Sequence, residues 1–567
     1  MQPRENFVTG LDLQVDPGHR KDRWGVSADF GLERDRSLQQ PAPVIPMLGE
    51  PVLFCLAASA GCRSRGGDVM LRTSSYTIYV DLPDNEREML LVHGYTGAHD
   101  KVSRRVADYL RRNEARRPPK PLYGDWSPEP AAEASETAAP APAVLETLRQ
   151  RGYLTHLSFA DEKELFGRLA TQLHERATQS APGFLFMPTY DCNLRCSYCF
   201  QDHMRTDGSF RHLLRSMRPR MIERLFAAIP KIEARHGVDG SRGRRDIGFF
   251  GGEPLLAASR PIVEEIMARA GERADFWAVT NATDLEAYRD LLGPGKLGRL
   301  QITLDGPPAE HDRRRVYADG SGTFERIARN ITMALELGTL ISVRLNVDRG
   351  NLGDLPAVAA EIIARGWHES ESFSAYTAPI SPSNDKTDRA TTLNSWELDQ
   401  ALTEMREEYP DLRVLARPDE GIRARARQIF GGAEEVLPQL KPTFCSAHSQ
   451  MYIFDPFGDI YACWERTGDA RIRIGHVEPD GEVRLKTDQH RQWRSRTVAS
   501  NPVCQQCRYA LHCGGGCAIL ALGQRGKFHS NYCDGFASRF RASVADAYLA
   551  HVAGEAPERH RQRVCDL

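Results

Sequence analysis

Asp191-Cys192-Asn193-Leu194-Arg195-Cys196-Ser197-Tyr198-Cys199-Phe200 is the run on which the fold turns. Its three cysteines stand at CxxxCxxC spacing, so one loop can aim all three thiolates at a single iron–sulfur cube. Cubes ordinarily take four thiolates. Three leave one iron open to a small molecule, which a catalytic cluster needs and an electron carrier does not. A structural zinc knuckle or a redox dithiol also fits the spacing taken alone. The surroundings discriminate: Tyr198 and Phe200 are aromatic, an apolar strand from Gly183 to Pro188 leads in, and Gly251-Gly252-Glu253-Pro254 follows.

Outward from the loop, strand-like runs recur at Asp246–Phe250, Phe276–Thr280, Leu300–Leu304, Leu340–Val347 and Ser372–Thr377. Helical patterns lie between them, at Met221–Arg235, Arg260–Arg273, Asp284–Leu292, Thr323–Leu337 and Leu355–Arg365. Alternation of this kind implies parallel strands joined by right-handed crossovers, with chemistry at the C-terminal strand ends. Motifs fall at those ends: the Gly-Gly-Glu-Pro run, then Val279-Thr280-Asn281-Ala282-Thr283, then Thr303-Leu304-Asp305-Gly306-Pro307 with His311, Asp312 and Arg315 behind it. Arg344-Leu345-Asn346-Val347 lies in the fifth strand.

Together these resemble the radical S-adenosylmethionine (SAM) superfamily. The resemblance implies an α/β fold with a partial (β/α)6 barrel over residues 161–380. It also implies that Cys192, Cys196 and Cys199 hold a catalytic [4Fe–4S] cluster, and that Gly251, Gly252 and Glu253 hold the amino group of SAM. Asn281, in a Thr-Asn-Ala where the family has Thr-Asn-Gly, is expected at the SAM ribose or the substrate backbone. Arg344 is a candidate for the SAM carboxylate, which suits a guanidinium fork. Tyr198, Phe200 and Thr303 are expected among the cofactor contacts. A turn residue is the alternative reading of Asn281.

Seven further cysteines follow: Cys445, Cys463, Cys504, Cys507, Cys513, Cys517 and Cys533. The pattern Cys-x12-Gly458-x4-Cys, then Cys-x2-Cys-x5-Cys-x3-Cys and a last Cys, resembles the SPASM extension. By that resemblance Cys504, Cys507, Cys513 and Cys533 hold one auxiliary [4Fe–4S] cluster, and Cys445, Cys463 and Cys517 hold a second through three ligands. Its fourth ligand is another residue or the position is open. His448, His476 and His512 lie nearby and read as hydrogen-bonding or surface histidines. A pair of zinc sites is the alternative.

A chain of 567 residues, 41% hydrophobic and 26% charged, is globular and too long for one core. Lys+Arg 74 against Asp+Glu 76 leaves a net charge of −2, which gives no field for nucleic acid or an anionic membrane. No apolar run approaches the roughly 18 residues of a membrane span. Thirteen cysteines clustered at metal spacings point to a reducing compartment, hence the cytoplasm. Residues 1–69 are expected to be disordered, with Cys55 and Cys62 as free thiols. Residues 70–160 read as a small α+β domain: a hairpin from Ser75–Leu82 and Glu88–Tyr95, an amphipathic helix Val102–Arg112, a Pro/Ala-rich insertion at 117–143 and a helix Val144–Arg151. A second helix, Ala160–Arg176, follows. This region resembles the winged domains that bind leader peptides, or else it caps the barrel. Residues 381–440 are expected to form a helical bridge opened by an Asn394/Glu397 capping box. The extension occupies 441–535. Residues 536–567 make a last helix, Phe536–Val552, and a charged tail carrying Cys565.

The expected activity is reductive cleavage of SAM to a 5′-deoxyadenosyl radical, which takes a hydrogen from a peptide substrate. Family resemblance favours a ribosomally made precursor undergoing cross-linking, thioether formation or epimerisation, with a flavodoxin or ferredoxin as electron donor. One alternative is a formylglycine-forming maturase of the anaerobic sulfatase type. Those enzymes carry an acidic residue just after the second extension cysteine, where this chain has Trp464 and then Glu465. An alternative of another class is a non-catalytic iron–sulfur electron-transfer protein. The substrate, the bond formed and the oligomeric state are left open.

Overall fold

The computed structural model describes residues 71–114, 139–240, 243–380, 387–418, 420–430 and 440–554. The expectations for residues 1–69, for most of the 117–143 insertion and for Cys565 lie outside the described residues.

The chain opens with β1 (Arg72–Thr73), β2 (Thr77–Leu82), β3 (Asn85–His93) and β4 (His99–Ser103), and β5 (Leu154–Thr155) returns to pair with β1. β2 and β3 form the expected hairpin, turned at Pro83-Asp84 with Asp84 at φ +59°. β4 was not expected. It pairs antiparallel with β3 and makes the sheet order β2-β3-β4. Val102 therefore belongs to this strand and not to the helix, which spans Arg104–Arg112. Ser103 sets that boundary, because its hydroxyl accepts from Val106 N as an N-cap. Val102, Val106 and Leu110 still share one core.

The main sheet begins with β6 (Gly183–Phe186), β7 (Arg245–Phe249), β8 (Ala274–Thr280), β9 (Leu297–Thr303), β10 (Leu340–Val347) and β11 (Phe373–Pro379). These are the six strands expected, parallel and in sequential order. Helices Pro219–Arg235, Arg260–Ala270, Phe324–Glu336 and Leu355–Ala364 connect them. The β8–β9 link is a 3-10 helix, Leu285–Leu291, in place of the α-helix expected over 284–292. Gly293-Pro294-Gly295 stops it at once, and a short crossover favours the tighter coil.

The sheet does not end with these six strands. β12 (Leu415–Ala416) adds parallel to β11 at one edge, and β13 (Met451–Phe454) adds parallel to β6 at the other. β14 (Asp459–Tyr461), β15 (Gly475–Val477) and β16 (Val483–Leu485) then continue antiparallel, giving one open sheet of eleven strands. The bridge helix is Ser395–Glu408, opened by the expected capping box between Asn394 and Glu397. The last helix is Phe536–Val552.

Helix Phe159–Thr178 crosses the 160/161 boundary drawn from the sequence. Its fully buried Glu162 accepts from Arg72 at 2.8 Å, from Ser75 N at 3.1 Å and from the Ser74 hydroxyl. Phe166 stacks on Tyr76 at 4.8 Å. The other face of the β2–β3–β4 sheet buries Ile78, Val80 and Val92 against Tyr509, Phe540 and Val544. No described helix is long and apolar enough to cross a membrane.

Candidate active site

β6 delivers the chain to the cysteine loop, and the end of β7 presses on that loop from the side. Gly252 N donates to Thr189 O at 3.1 Å and Glu253 N to Asp191 O at 2.8 Å. A Cβ at Gly251 would overlap Thr189 O, and one at Gly252 would overlap both Tyr190 O and Asp191 O. The glycine pair thus permits backbone-to-backbone contact with the cysteine loop, a requirement in addition to the ligand approach expected from the sequence.

Glu253 is buried and points at the end of β8. Its carboxylate accepts from Thr280 Oγ1 at 2.6 Å, Asn281 N at 2.6 Å and Leu255 N at 2.9 Å. Burial pushes its pKa up to about 7 against these hydrogen bonds. Asn281 is thereby aimed back at the cysteine loop. Its Nδ2 donates to Asn193 Oδ1 at 2.9 Å and lies 3.8 Å from Cys192 Sγ.

Cys192 Sγ also accepts from Leu194 N at 3.4 Å, and Cys199 Sγ from Arg205 at 3.2 Å. Cys196 is within electrostatic reach of both other loop cysteines. Burial pushes the Cys192 thiol up to about 12 and that of Cys196 to about 11. An isolated thiolate is disfavoured in such a site, whereas a thiolate on a cationic metal centre is not, since the metal's charge replaces the lost water. Three cysteines, two of them served by N–H or guanidinium donors, fit an iron–sulfur centre with three protein thiolates.

Tyr198 is held by its hydroxyl, which donates to Asp305 Oδ2 and accepts from Arg315 at 2.6 Å and Asn346 Nδ2 at 3.1 Å. Asp305 is oriented in turn by Asn346 N at 3.3 Å, and Asp305 N donates to His311 Nδ1 at 3.4 Å. Asp312 accepts from Thr323 N and Phe324 N and so opens helix Phe324–Glu336. The segment from 303 to 315 therefore braces the cysteine loop. The sequence reading missed Asn346 and Arg205. The Asn346 position, two residues past Arg344 on the same face of β10, was the available signal.

Arg344 donates to Asn346 Oδ1 at 2.8 Å, stands over the Tyr376 ring at 6.0 Å and feels the charge of Glu465. Thr303 is its register partner on β9. Phe200 lines a cleft of about 490 Å³ between the 200–210 segment and the 465–471 loop. Gln201 donates across to Thr467 Oγ1 at 3.2 Å, and Phe250 stacks on Trp464 at 5.4 Å.

The seven later cysteines gather in two groups. Cys463 is within electrostatic reach of Cys445 and Cys517, and Cys504 of Cys507, Cys513 and Cys533. Among the described residues, no three His, Cys, Asp or Glu side chains stand close enough to hold a single metal ion. The turn that separates the groups is Gly514-Gly515-Gly516, at φ +78°, +85° and +74°. A Cβ at Gly514 would overlap Thr443 O, and one at Gly516 would overlap Tyr532 O. These three glycines alone carry the chain from Cys513 in one group to Cys517 in the other, and the Gly-Gly-Gly triplet was legible in the sequence. His448 and His476 are engaged with Trp493 O and Asp459, and His512 packs on Phe540. The carboxylate facing Cys463 and Cys517 is Glu465.

The radical SAM superfamily model matches residues 186–351. A probable GTP 3′,8-cyclase of Methanocella arvoryzae is 31% identical over 159 residues, 28% of this chain and 45% of that protein. Another, from Archaeoglobus fulgidus, is 28% identical over 190 residues, 33% of this chain and 51% of that protein. The chain thus spans about half the length of these curated relatives. Among solved structures, native anSMEcpe with bound AdoMet gives a TM-score of 0.49 at 16% identity, covering 66% of this chain and 99% of that one. SuiB of Streptococcus suis bound to precursor peptide SuiA gives 0.44 at 15% identity, covering 82% and 98%. The family match begins at the last residue of β6 and ends just past β10, enclosing the cysteine loop and the strand ends that brace it: residues 186–351 of this chain are a radical SAM domain.

Proposed function

We propose that the chain is a radical SAM enzyme that modifies a peptide, with one catalytic and two auxiliary [4Fe–4S] clusters. The chemistry the catalytic group supplies when bound is one-electron cleavage of SAM to methionine and a 5′-deoxyadenosyl radical. This chain's residues position and enclose that chemistry. Cys192, Cys196 and Cys199 hold the cluster, and the 251–253 backbone, Asn281 and Arg344 orient SAM. Tyr198 keeps the loop from moving through its lock on Asp305 and Arg315. The observation that carries the reading is the grouping of the seven later cysteines next to this domain, with Trp464 of the Cys463 loop stacked on Phe250 beside the glycine pair.

A peptide substrate is supported by the N-terminal sheet. β3 is its central strand, β2 is one edge, and the last helix packs on the sheet's face over β2 and β3. β4 is the other edge, suited to adding an extended peptide through main-chain hydrogen bonds. A stretch of 159 residues shared with a GTP cyclase cannot reach from Cys192 to Cys533, so it bears on SAM chemistry and leaves the substrate open.

The test is anaerobic SAM cleavage with iron analysis. Reconstituted protein is expected to carry three clusters. Replacing Cys192, Cys196 and Cys199 by Ala is expected to remove about four irons and abolish 5′-deoxyadenosine formation while auxiliary iron stays. Unchanged 5′-deoxyadenosine formation in that variant would refute the assignment. A candidate precursor should gain a new mass only with SAM present, and GTP should not be consumed. Formylglycine formation is the second reading, favoured by one observation: Glu465 brings an acidic side chain to Cys463 and Cys517 although Trp464 holds the neighbouring position. Oxidation of a Cys- or Ser-bearing sulfatase peptide would select it.

A further inference from the structure

Arg496 is buried, at 4% exposure, between the two C-terminal cysteine groups. Its Nε donates to Phe528 O at 3.0 Å, and its Nη2 to Ser530 O at 2.9 Å and Gly515 O at 3.3 Å. Gly515 lies between Cys513 and Cys517, and Ser530 three residues before Cys533. The remaining partner is His448 Nε2 at 3.4 Å. His448 Nδ1 faces Trp493 O at 2.9 Å and must donate there, so Nε2 is an acceptor and the ring is neutral. Every hydrogen-bond partner of this guanidinium is thus uncharged, and among the described residues no carboxylate pairs with it. A buried cation without an anion is costly. The charges within its reach are Cys504 and Cys513 of one group and Cys517 and Cys445 of the other.

We propose that Arg496 is the shared counter-ion of the two auxiliary centres and raises the reduction potential of both. This rests on the three-cluster reading above. Cluster potentials respond to nearby charge. A fixed positive charge stabilises the more negative, reduced form of whichever centre takes the electron. The neighbouring Arg494 differs: it donates to Ser446 O, Ala447 O and Met451 O and so serves the Cys445 loop.

The experiment is a mediated redox titration of the reconstituted full-length enzyme, followed by electron paramagnetic resonance, on the parent, Arg496→Gln and Arg496→Lys. Arg496→Gln is expected to shift the one-electron reduction equilibrium of both auxiliary centres at least tenfold toward the oxidised form, ~59 mV. The Cys192 centre should stay at the parental value. Arg496→Lys breaks the forked hydrogen bonds but keeps the charge, so it should titrate close to the parent. Loss of auxiliary iron in Arg496→Gln with normal loading in Arg496→Lys would also support the counter-ion role. Parental potentials in Arg496→Gln, or equal damage in both variants, would overturn it in favour of a structural tie. A parent protein without auxiliary iron would overturn the three-cluster reading itself.

Discussion

Ala282 holds φ at +61°, a conformation that costs an L-residue with a Cβ roughly 1–2 kcal/mol. The resemblance to a Thr-Asn-Gly segment flagged this position, and the backbone supplies the reason: Asn281 must point at the cysteine loop while the Ala282 carbonyl accepts from Asn330 Nδ2 at 2.7 Å. Ala282→Gly is expected to stabilise the protein by up to about 1 kcal/mol, read as a higher urea midpoint. A lower midpoint would mean that the buried methyl packs better than its backbone strains. Glu253 gives a pH prediction. Burial lifts its pKa to about 7, above the ordinary 4.5, so the folded state holds this proton more tightly than the unfolded chain. Its contribution is fully present below about pH 4.5 and is lost as pH rises through about 7. Stability should therefore fall between about pH 4.5 and 7, and Glu253→Gln should flatten that slope. An unchanged slope in the variant would assign the pH dependence to other groups. The cysteines, the glycine pair and Asn281 were legible because their spacing is local. The lock on Tyr198 was not, since Asp305 and Arg315 reach it from one distant segment and Asn346 from another.

Strands of two to five residues carry too few side chains for a period to show, and they form because a neighbour offers a ladder. This is why β4, β12 and β13 went unread while β8 and β10, at seven and eight residues, did not; β6 and β7 are as short and were read from the motifs that follow them. β4 has a single apolar residue, Val102, and β13 is a four-residue buried run, Met451–Phe454. The Gly514-Gly515-Gly516 turn belongs to the same scale. Gly516→Ala is expected to cost a few kcal/mol, from its positive φ and its overlap with the Tyr532 carbonyl. Because the turn parts Cys513 from Cys517, the variant should lose auxiliary iron and keep SAM cleavage. Gly523→Ala, a helical position with open space around the added Cβ, is the matched control and should be neutral or better. Full auxiliary iron in Gly516→Ala would show that the turn does not govern the two groups.

At the scale of the whole molecule, the N-terminal domain and the Cys504–Cys513 segment share cores. Tyr76 and Phe166 pack with Cys504 and Leu511, the Tyr76 hydroxyl donates to Gln505 O, and Arg508 pairs with Glu114 and donates to Thr77 O. The sequence reading left this region as either a winged leader-binding domain or a cap on the barrel. The shared cores tie it to the rest of the molecule rather than leaving it detachable: deleting residues 1–160 should give insoluble or cluster-poor protein, checked by size exclusion and iron analysis. A soluble truncation with full iron would restore the detachable view. The main sheet has a further consequence, for the order of events at the ribosome. β6, which leads into the cysteine loop, finds its second partner only in β13, from residue 183 to residue 451. Until that distant segment emerges, the strand behind the loop has a bare flank, and such edges invite association with other chains. Acquisition of iron is therefore expected to follow completion of the chain, and translation products that stop near residue 380 should accumulate as aggregates instead of a smaller working enzyme.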